Sequence, residues 1–351
     1  MRRPLQIGVV GCGYWGPNLV RNFRMVPGCK VKTVCDQDEK RLASMQELYP
    51  EVGVSRDFNH LLKEKSIDAI AIATPVKYHH EQARAALDAG KHVLIEKPMA
   101  ASAAQCEDLC KRAKKLGLTL MVDHTYLYSS PVRKIKEIVD GGDIGELRYI
   151  AARRLNLGLF QADINVTWDL APHDLSIILY IMGKAPVALN CQGANHIAAH
   201  LEHVSNLSLF FPRGEYATVH NSWLDPRKVR EMTVVGSRRM IHYDDLEPIK
   251  KITIYDVRVE SPPHYNSFEA FHYSYHYGDM YTPYIKQEEP LKLMCEHFID
   301  SIMNESTPLS DGRQGHELVS ILEASLQSLE QGGGRVKLPL TKRRAATKVK
   351  K

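Results

Sequence analysis

The chain has 351 residues, 44% hydrophobic and 25% charged, a globular balance spread over a length that suits two domains of ~100–200 residues better than one core. No apolar run approaches the ~20 residues of a membrane helix, and the start passes from two arginines straight into a strand pattern, without the apolar stretch and cleavage site of a signal peptide. The net charge of +5 collects at the end of the chain, where Lys342, Arg343, Arg344, Lys348, Lys350 and Lys351 stand without an acid; the rest is near neutral, which argues against a nucleic-acid-binding body.

The first third alternates short apolar runs with amphipathic stretches. Leu5–Val10, Val31–Asp36, Ala69–Thr74, His92–Pro98 and Thr119–His124 read as buried strands. Helices are predicted over Trp15–Val26, Asp38–Tyr49, Glu81–Ala89 and Ser102–Leu116, the last two closed by Gly90 and Gly117. Such β-α alternation predicts a parallel, doubly wound sheet. Past His124 the rhythm changes. A helix over Val132–Asp140 precedes seven longer alternating segments: Leu147–Leu155, Ala188–His196, Val204–Phe211, Glu215–Trp223, Glu231–Val235, Met240–Tyr243 and Lys251–Val259. These predict a large open, mostly antiparallel sheet, with a hairpin at Gly236-Ser237. Helical periodicity returns over Pro290–Met303 and Gln314–Glu330. The expected organisation is a Rossmann domain at 1–124, an α+β domain for substrate binding and oligomerisation at 125–340, and a basic, disordered tail at 341–351.

Three patterns carry chemistry. Gly11-Cys12-Gly13-Tyr14-Trp15-Gly16 follows a buried strand and opens a helix. In that context GxGxxG is specific: the first glycine allows the tight turn, the second lets the backbone approach a pyrophosphate, and the third lets helix and strand pack closely. Asp36, at the end of the second strand, suits the adenosine ribose hydroxyls and repels a 2′-phosphate, which favours NAD over NADP; Gln37, Asp38, Glu39 and Lys40 after it offer one cation. Glu96-Lys97-Pro98 ends a parallel strand, where such sheets bind ligands, and a lysine there can stabilise negative charge developing on oxygen. In Trp168-Asp169-Leu170-Ala171-Pro172-His173-Asp174 a helix is expected to begin near the proline, placing Asp169 and His173 one turn apart; a histidine beside a carboxylate suits proton transfer.

Other signals read as structural. The seven cysteines form no CxxC pair, which favours a reducing, cytoplasmic setting and free thiols over a disulfide framework. Cys106 and Cys110 could face each other on a helix and read as two small apolar residues, while His272 and His276 have helical metal-ligand spacing that no carboxylate pattern completes, and no metal is expected. The Tyr- and His-rich stretch Tyr255–Tyr284, including His264, Tyr265, Tyr275 and Tyr277, reads as a loop over the active site or a subunit interface.

Taken in order and spacing, the GxGxxG, the Glu-Lys-Pro and the Asp-x-x-x-His resemble the Gfo/Idh/MocA family of dehydrogenases over nearly the whole chain. The resemblance implies that Lys97 and His173 flank the reacting carbinol with His173 as acid/base, Asp169 assisting. It also implies cofactor contacts from Tyr14, Trp15, Thr74, Pro75, His79, Glu96, Lys97 and the loop at His124. Where the family often carries Asn two positions after that Thr, this chain has Val76. Tyr14-Trp15-Gly16-Pro17-Asn18 is similar to a subgroup of nucleotide-sugar enzymes, with UDP-N-acetylglucosamine 3-dehydrogenases the nearest match. The expected substrate is therefore a nucleotide sugar, oxidised at C3. Arg154 and Arg230 are expected to grip its diphosphate, Asn156 lies beside them, and Trp168 and Trp223 supply an aromatic wall. A keto-sugar reductase, an inositol dehydrogenase and a non-catalytic cofactor-sensing regulator are the rival readings. An open sheet with an apolar face predicts a homodimer or homotetramer.

Overall fold

The computed structural model describes residues 3–161, 163–197, 200–260 and 273–339. The basic tail and His264, Tyr265 and His272 lie outside them. The chain divides into two compact units, Met1–Ser129 with Gln287–Glu323, and Ser130–Lys286 with Ala324–Lys351.

In the first unit the elements are β1 (Leu5–Val10), α1 (Gly16–Met25), β2 (Cys29–Cys35), α2 (Glu39–Leu48), β3 (Gly53–Ser55), α3 (Phe58–Lys63), β4 (Ala69–Ile72), α4 (Val76–Asp88), β5 (His92–Glu96), α5 (Ala103–Leu116) and β6 (Leu120–Asp123). The strands pair in parallel in the order β3-β2-β1-β4-β5-β6. The order reverses between β1 and β4, and that crevice is where such sheets bind ligands. Apolar residues on both faces make this a sheet interior: every residue of β4 is fully buried. Side chains fix the helix ends. Asp38 accepts from the amides of Lys40 and Arg41 to start α2, and Ser102 accepts from Gln105 N–H to start α5, which ends on Gly117 at φ 67°. The sequence reading misses β3 and α3, which are too short to show a period, and begins α4 five residues late, because Val76-Lys77-Tyr78 has no helical apolar stripe.

The second unit contains α6 (Ser130–Asp140), β7 (Leu147–Leu157), α7 (Val166–Met182), β8 (Ala188–Ala194), β9 (Val204–Phe210), β10 (Tyr216–Ser222), β11 (Leu224–Gly236), β12 (Met240–Asp244), β13 (Ile252–Glu260), β14 (Ser274–Tyr281) and β15 (Val336–Lys337). They form one sheet in the order β14-β13-β12-β11-β7-β10-β9-β8-β15. Only β7 and β10 pair in parallel; the sheet is otherwise antiparallel. The largely apolar α7 packs on β7, β9 and β10 and is almost wholly buried. Its start corrects the expectation: the cap is Asn165, whose side chain accepts from Trp168 N–H, and Pro172 lies inside the helix. Asp169 and His173 still lie four residues apart within it. β14 corrects the loop reading of the Tyr-rich stretch, since Tyr275 and Tyr277 stand on an edge strand with rings stacked at 6.5 Å.

The chain then returns to the first unit with α8 (Pro290–Met303), which lies on α1: Phe298 meets Phe23 edge-on at 6.2 Å, and Arg21 pairs with Glu289. The domain expectation of one continuous stretch at 125–340 did not include this return, because a helix's apolar face does not say which sheet it covers. α9 (Gly312–Glu330) begins with two close approaches: a Cβ on Gly312 would sit 2.7 Å from Leu120, and one on Gly315 2.7 Å from Val122.

Candidate active site

The loop after β1 builds a cradle from backbone. Gly11 has φ +91°, and a Cβ there would lie 2.6 Å from the Ala73 carbonyl oxygen. A Cβ on Gly16 would lie 1.9 Å from the Gly11 oxygen. Both glycines are thus required by the protein itself. Gly13 is not: its Cβ would meet nothing nearer than the Arg41 guanidinium at 3.8 Å. Space kept open at the middle glycine, facing a helix N-terminus that has no side-chain cap, fits the pyrophosphate of a dinucleotide. Tyr14 and Trp15 beside it are exposed. Asp36 Oδ2 accepts from Cys12 N–H at 2.6 Å and Oδ1 from Asp38 N–H at 2.9 Å, which fixes the carboxylate at the end of β2 beside the glycine loop. Arg41 is the residue the sequence reading missed, one position past the four it considered. Its Nη1 is 3.7 Å from Asp36 and its Nε 3.6 Å from Asp38.

The loop after β4 is held by His79. Its buried ring lies between two main-chain carbonyls, Nε2 at 2.7 Å from Thr74 O and Nδ1 at 2.9 Å from Pro98 O. Burial pulls this imidazole below its ordinary range. Its one N–H donates to one of these carbonyls, and the ring braces the Thr74-Pro75 and Lys97-Pro98 segments. Thr74 donates its hydroxyl to Gln82 at 2.6 Å, and Pro75 starts α4 without a side-chain cap.

Glu96 and Lys97 end β5, and Asp123 and His124 end β6 beside them, with Glu96 in register with Asp123. Glu96, Asp123 and His124 are buried, and Lys97 is partly exposed. Burial first, and the positive charge of Lys97 second, push His124 down to about 3, so it is neutral. Asp123 was absent from the sequence reading; a carboxylate inside an apolar strand is a signal that was there to be used.

In the second unit the structure joins residues the sequence treated separately. Arg154 on β7 forms a buried, two-pronged ion pair with Asp174 on α7, Nε to Oδ2 at 2.8 Å and Nη2 to Oδ1 at 2.9 Å. Two nitrogens of the fork expected to hold a diphosphate meet a carboxylate, and the pair ties β7 to the helix carrying His173. Trp223 is fully buried and donates its indole N–H to Asp169 Oδ2 at 3.1 Å. Phe160 and His203 complete this wall, with ring centroids 5.5 and 6.3 Å from that of Trp223. His203 is a further addition: its Nδ1 accepts from the amides of His196 and Ile197, which leaves the proton on Nε2. Trp168 is buried and its Nε1 has no partner among the described residues. Asn156 is half-buried next to Gly158, where a Cβ would crowd both Asn156 and Trp223. Arg230 pairs with Asp245 at 3.4 Å and is more open. All seven cysteines are free, and among the described residues no His, Cys, Asp or Glu cluster could hold a metal. No described helix is long and apolar enough to cross a membrane.

Comparison with known proteins agrees with this layout. Residues 5–124 match the profile described as oxidoreductase family, NAD-binding Rossmann fold, and residues 132–242 match the GFO/IDH/MocA C-terminal domain. The chain belongs to the Gfo/Idh/MocA family. Among its relatives, uncharacterized oxidoreductase YrbE of Bacillus subtilis is 27% identical over 95% of this chain and 96% of its own length. Myo-inositol 2-dehydrogenase of Thermotoga maritima is 22% identical over 93% of this chain and 97% of its own. Among solved structures, UDP-N-acetylglucosamine 3-dehydrogenase GnnA from Acidithiobacillus ferrooxidans aligns with a TM-score of 0.77 at 22% identity, covering 94% of this chain and 99% of that one. Family membership makes the chain an NAD-binding oxidoreductase.

Proposed function

We propose that this protein oxidises a secondary hydroxyl of a sugar to the ketone, Lys97 and His173 acting on the same oxygen. NAD, when bound, supplies the hydride acceptor. Lys97 donates a hydrogen bond to the substrate oxygen and stabilises alkoxide character as the C–H bond breaks. His173 takes the hydroxyl proton. Asp169 is held by the Trp223 indole and lies four residues before His173, where it either orients that ring or meets a sugar hydroxyl. The observation that carries the reading is the joint presence of an open cofactor cradle with a lysine and a histidine at the family's two positions; a cofactor-sensing regulator needs the first and not the others.

The finer reading is C3 of a UDP-N-acetylglucosamine-type sugar, or its uronate. Cations near these strands that could meet a diphosphate include Arg230 and the exposed Arg153, Arg227 and Lys228. The Arg154–Asp174 pair favours a second reading, a neutral sugar or polyol, because it removes a fork from the phosphate-binding set. NADH production with UDP-N-acetylglucosamine, its uronate, free N-acetylglucosamine and myo-inositol separates them. Preference for either UDP-sugar supports the first; equal or better turnover of a free polyol overturns it. We also propose a homo-oligomer, which light scattering at a mass near the 39.7 kDa of one chain would overturn.

A further inference from the structure

Glu96 and Asp123 end two adjacent parallel strands in register, so their side chains leave the same face of the sheet. They are 8% and 3% exposed. Each has one oxygen served by a donor: Lys97 N–H reaches Glu96 Oε2 at 3.2 Å, and the Thr125 hydroxyl reaches Asp123 Oδ1. Glu96 Oε1 and Asp123 Oδ2 are buried without a hydrogen-bond donor among the described residues, and the two acids are near enough to act on each other. Ionised carboxylates only accept, so a proton held between the two acids is what would satisfy both orphan oxygens.

We propose that Glu96 and Asp123 hold one proton between them and act as a single negative charge beside Lys97, which makes Asp123 a positioning residue for the lysine. With no proton the pair would put two negative charges side by side in a buried site; with two, Lys97 would lose its counter-ion. Burial, and for Glu96 the neighbouring Asp123, hold both carboxyls above their ordinary range. His124 is neutral, and the Cys295 thiol on α8 is pushed well up by burial and then by Asp123. Among the described residues, Lys97 is the cation that acts on both acids.

The proposal rests on the reading of Lys97 above only for its catalytic consequence, and its test needs no turnover. An amide can replace a protonated carboxyl in such a pair, donating to the remaining carboxylate. D123N and E96Q should each keep one negative charge and lose the proton; the double variant E96Q/D123N should lose the charge as well. Infrared difference spectra of the protein without cofactor or substrate, near neutral pH, should show a protonated-carboxyl carbonyl band in the wild type that vanishes in each single variant. Competitive acylation with trace acetic anhydride, read at Lys97 by mass spectrometry, should give similar rates in the wild type and both single variants. In the double variant Lys97 should react about tenfold faster at about pH 8, the change expected from one lost counter-charge. No carboxyl band, a band surviving both single substitutions, or equal Lys97 reactivity in all four proteins overturns the proposal. If one single variant fails to fold, the other carries the same test. Full turnover by Lys97→Ala would instead sink the catalytic reading and leave the shared proton standing.

Discussion

The glycine loop of the first unit and the β7–α7 face of the second solve opposite problems. The loop is built from backbone, and its key feature is an unfilled space: a Cβ at Gly13 would have no close neighbour, while one at Gly11 or Gly16 would strike main chain. The β7–α7 face is built from side chains that are already committed, Arg154 to Asp174 and Trp223 to Asp169. A cofactor shared by many enzymes can be recognised through main-chain geometry. The group that differs between relatives has to be recognised by side chains, and those need supports of their own.

The largest expected effect sharpens this division of labour. Lys97→Ala and His173→Ala should each lower kcat by at least ~10²-fold, the lower range for acid–base and electrostatic groups, while NADH still binds, because neither residue is part of the glycine loop. Single-turnover kinetics with fluorescence-detected NADH binding would check both halves. Near-normal turnover in either variant removes that residue from the mechanism.

Arg154 comes next, and here the two regions are set directly against each other. Removing it leaves Asp174 charged and buried, a change that costs about 3–5 kcal/mol when one partner of a buried pair is lost. Denaturant unfolding of Arg154→Ala should show that loss. Arg154→Lys should recover only part of it, since an ammonium cannot reproduce a two-pronged contact. A variant of unchanged stability whose KM alone rises would return Arg154 to the substrate.

That residue also marks how far the sequence could be read. The Rossmann unit was legible nearly in full because its signals are local: glycines two and three residues apart, strands of continuous apolar residues, and Asp36 at a fixed distance from the loop. Arg154 and Asp174 lie 20 residues apart, and Trp223 and Asp169 54 apart; no periodicity links them, so a buried clamp looked like a free cation. The Glu96–Asp123 pairing depends on strand register, which a sequence does not display. β3 and α3 were missed for their length, and α8 was seen as a helix without its place on α1.

Within the cradle, Gly16 and Gly13 should separate stability from binding. Gly16→Ala forces a methyl to within 1.9 Å of a carbonyl oxygen, and overpacking of this kind costs about 1–3 kcal/mol or more. Gly13→Ala should stay within about 0.5 kcal/mol of the wild type. Its methyl would instead occupy space open to the pyrophosphate and weaken NADH binding by about tenfold, roughly 1.4 kcal/mol. Calorimetric Tm and NADH titration on both variants read the two effects apart, and unchanged NADH affinity in Gly13→Ala would show that the space serves no ligand.

The smallest effect concerns Arg41, the charged side chain nearest Gly13 in this backbone cradle. Asp36 alone would exclude a 2′-phosphate, but Arg41 sits 3.7 Å from it and 3.6 Å from Asp38 with about half its side chain exposed. A guanidinium so placed offsets part of the repulsion a phosphate would meet, and exposed pairs of this kind are worth about 0–1 kcal/mol. NAD should therefore still be preferred, by less than Asp36 alone would impose. Arg41→Ala should widen the preference by a few-fold, on the order of the energy of one exposed pair. Asp36→Ala should narrow or reverse it, because it removes the repelling carboxylate and frees Arg41 to meet the phosphate. Paired NADH and NADPH titrations at two salt concentrations check this, since an exposed charge effect fades as ionic strength rises. Tighter NADPH than NADH binding by the wild type would overturn the preference, and an Arg41→Ala variant with unchanged selectivity would leave Asp36 as the sole determinant.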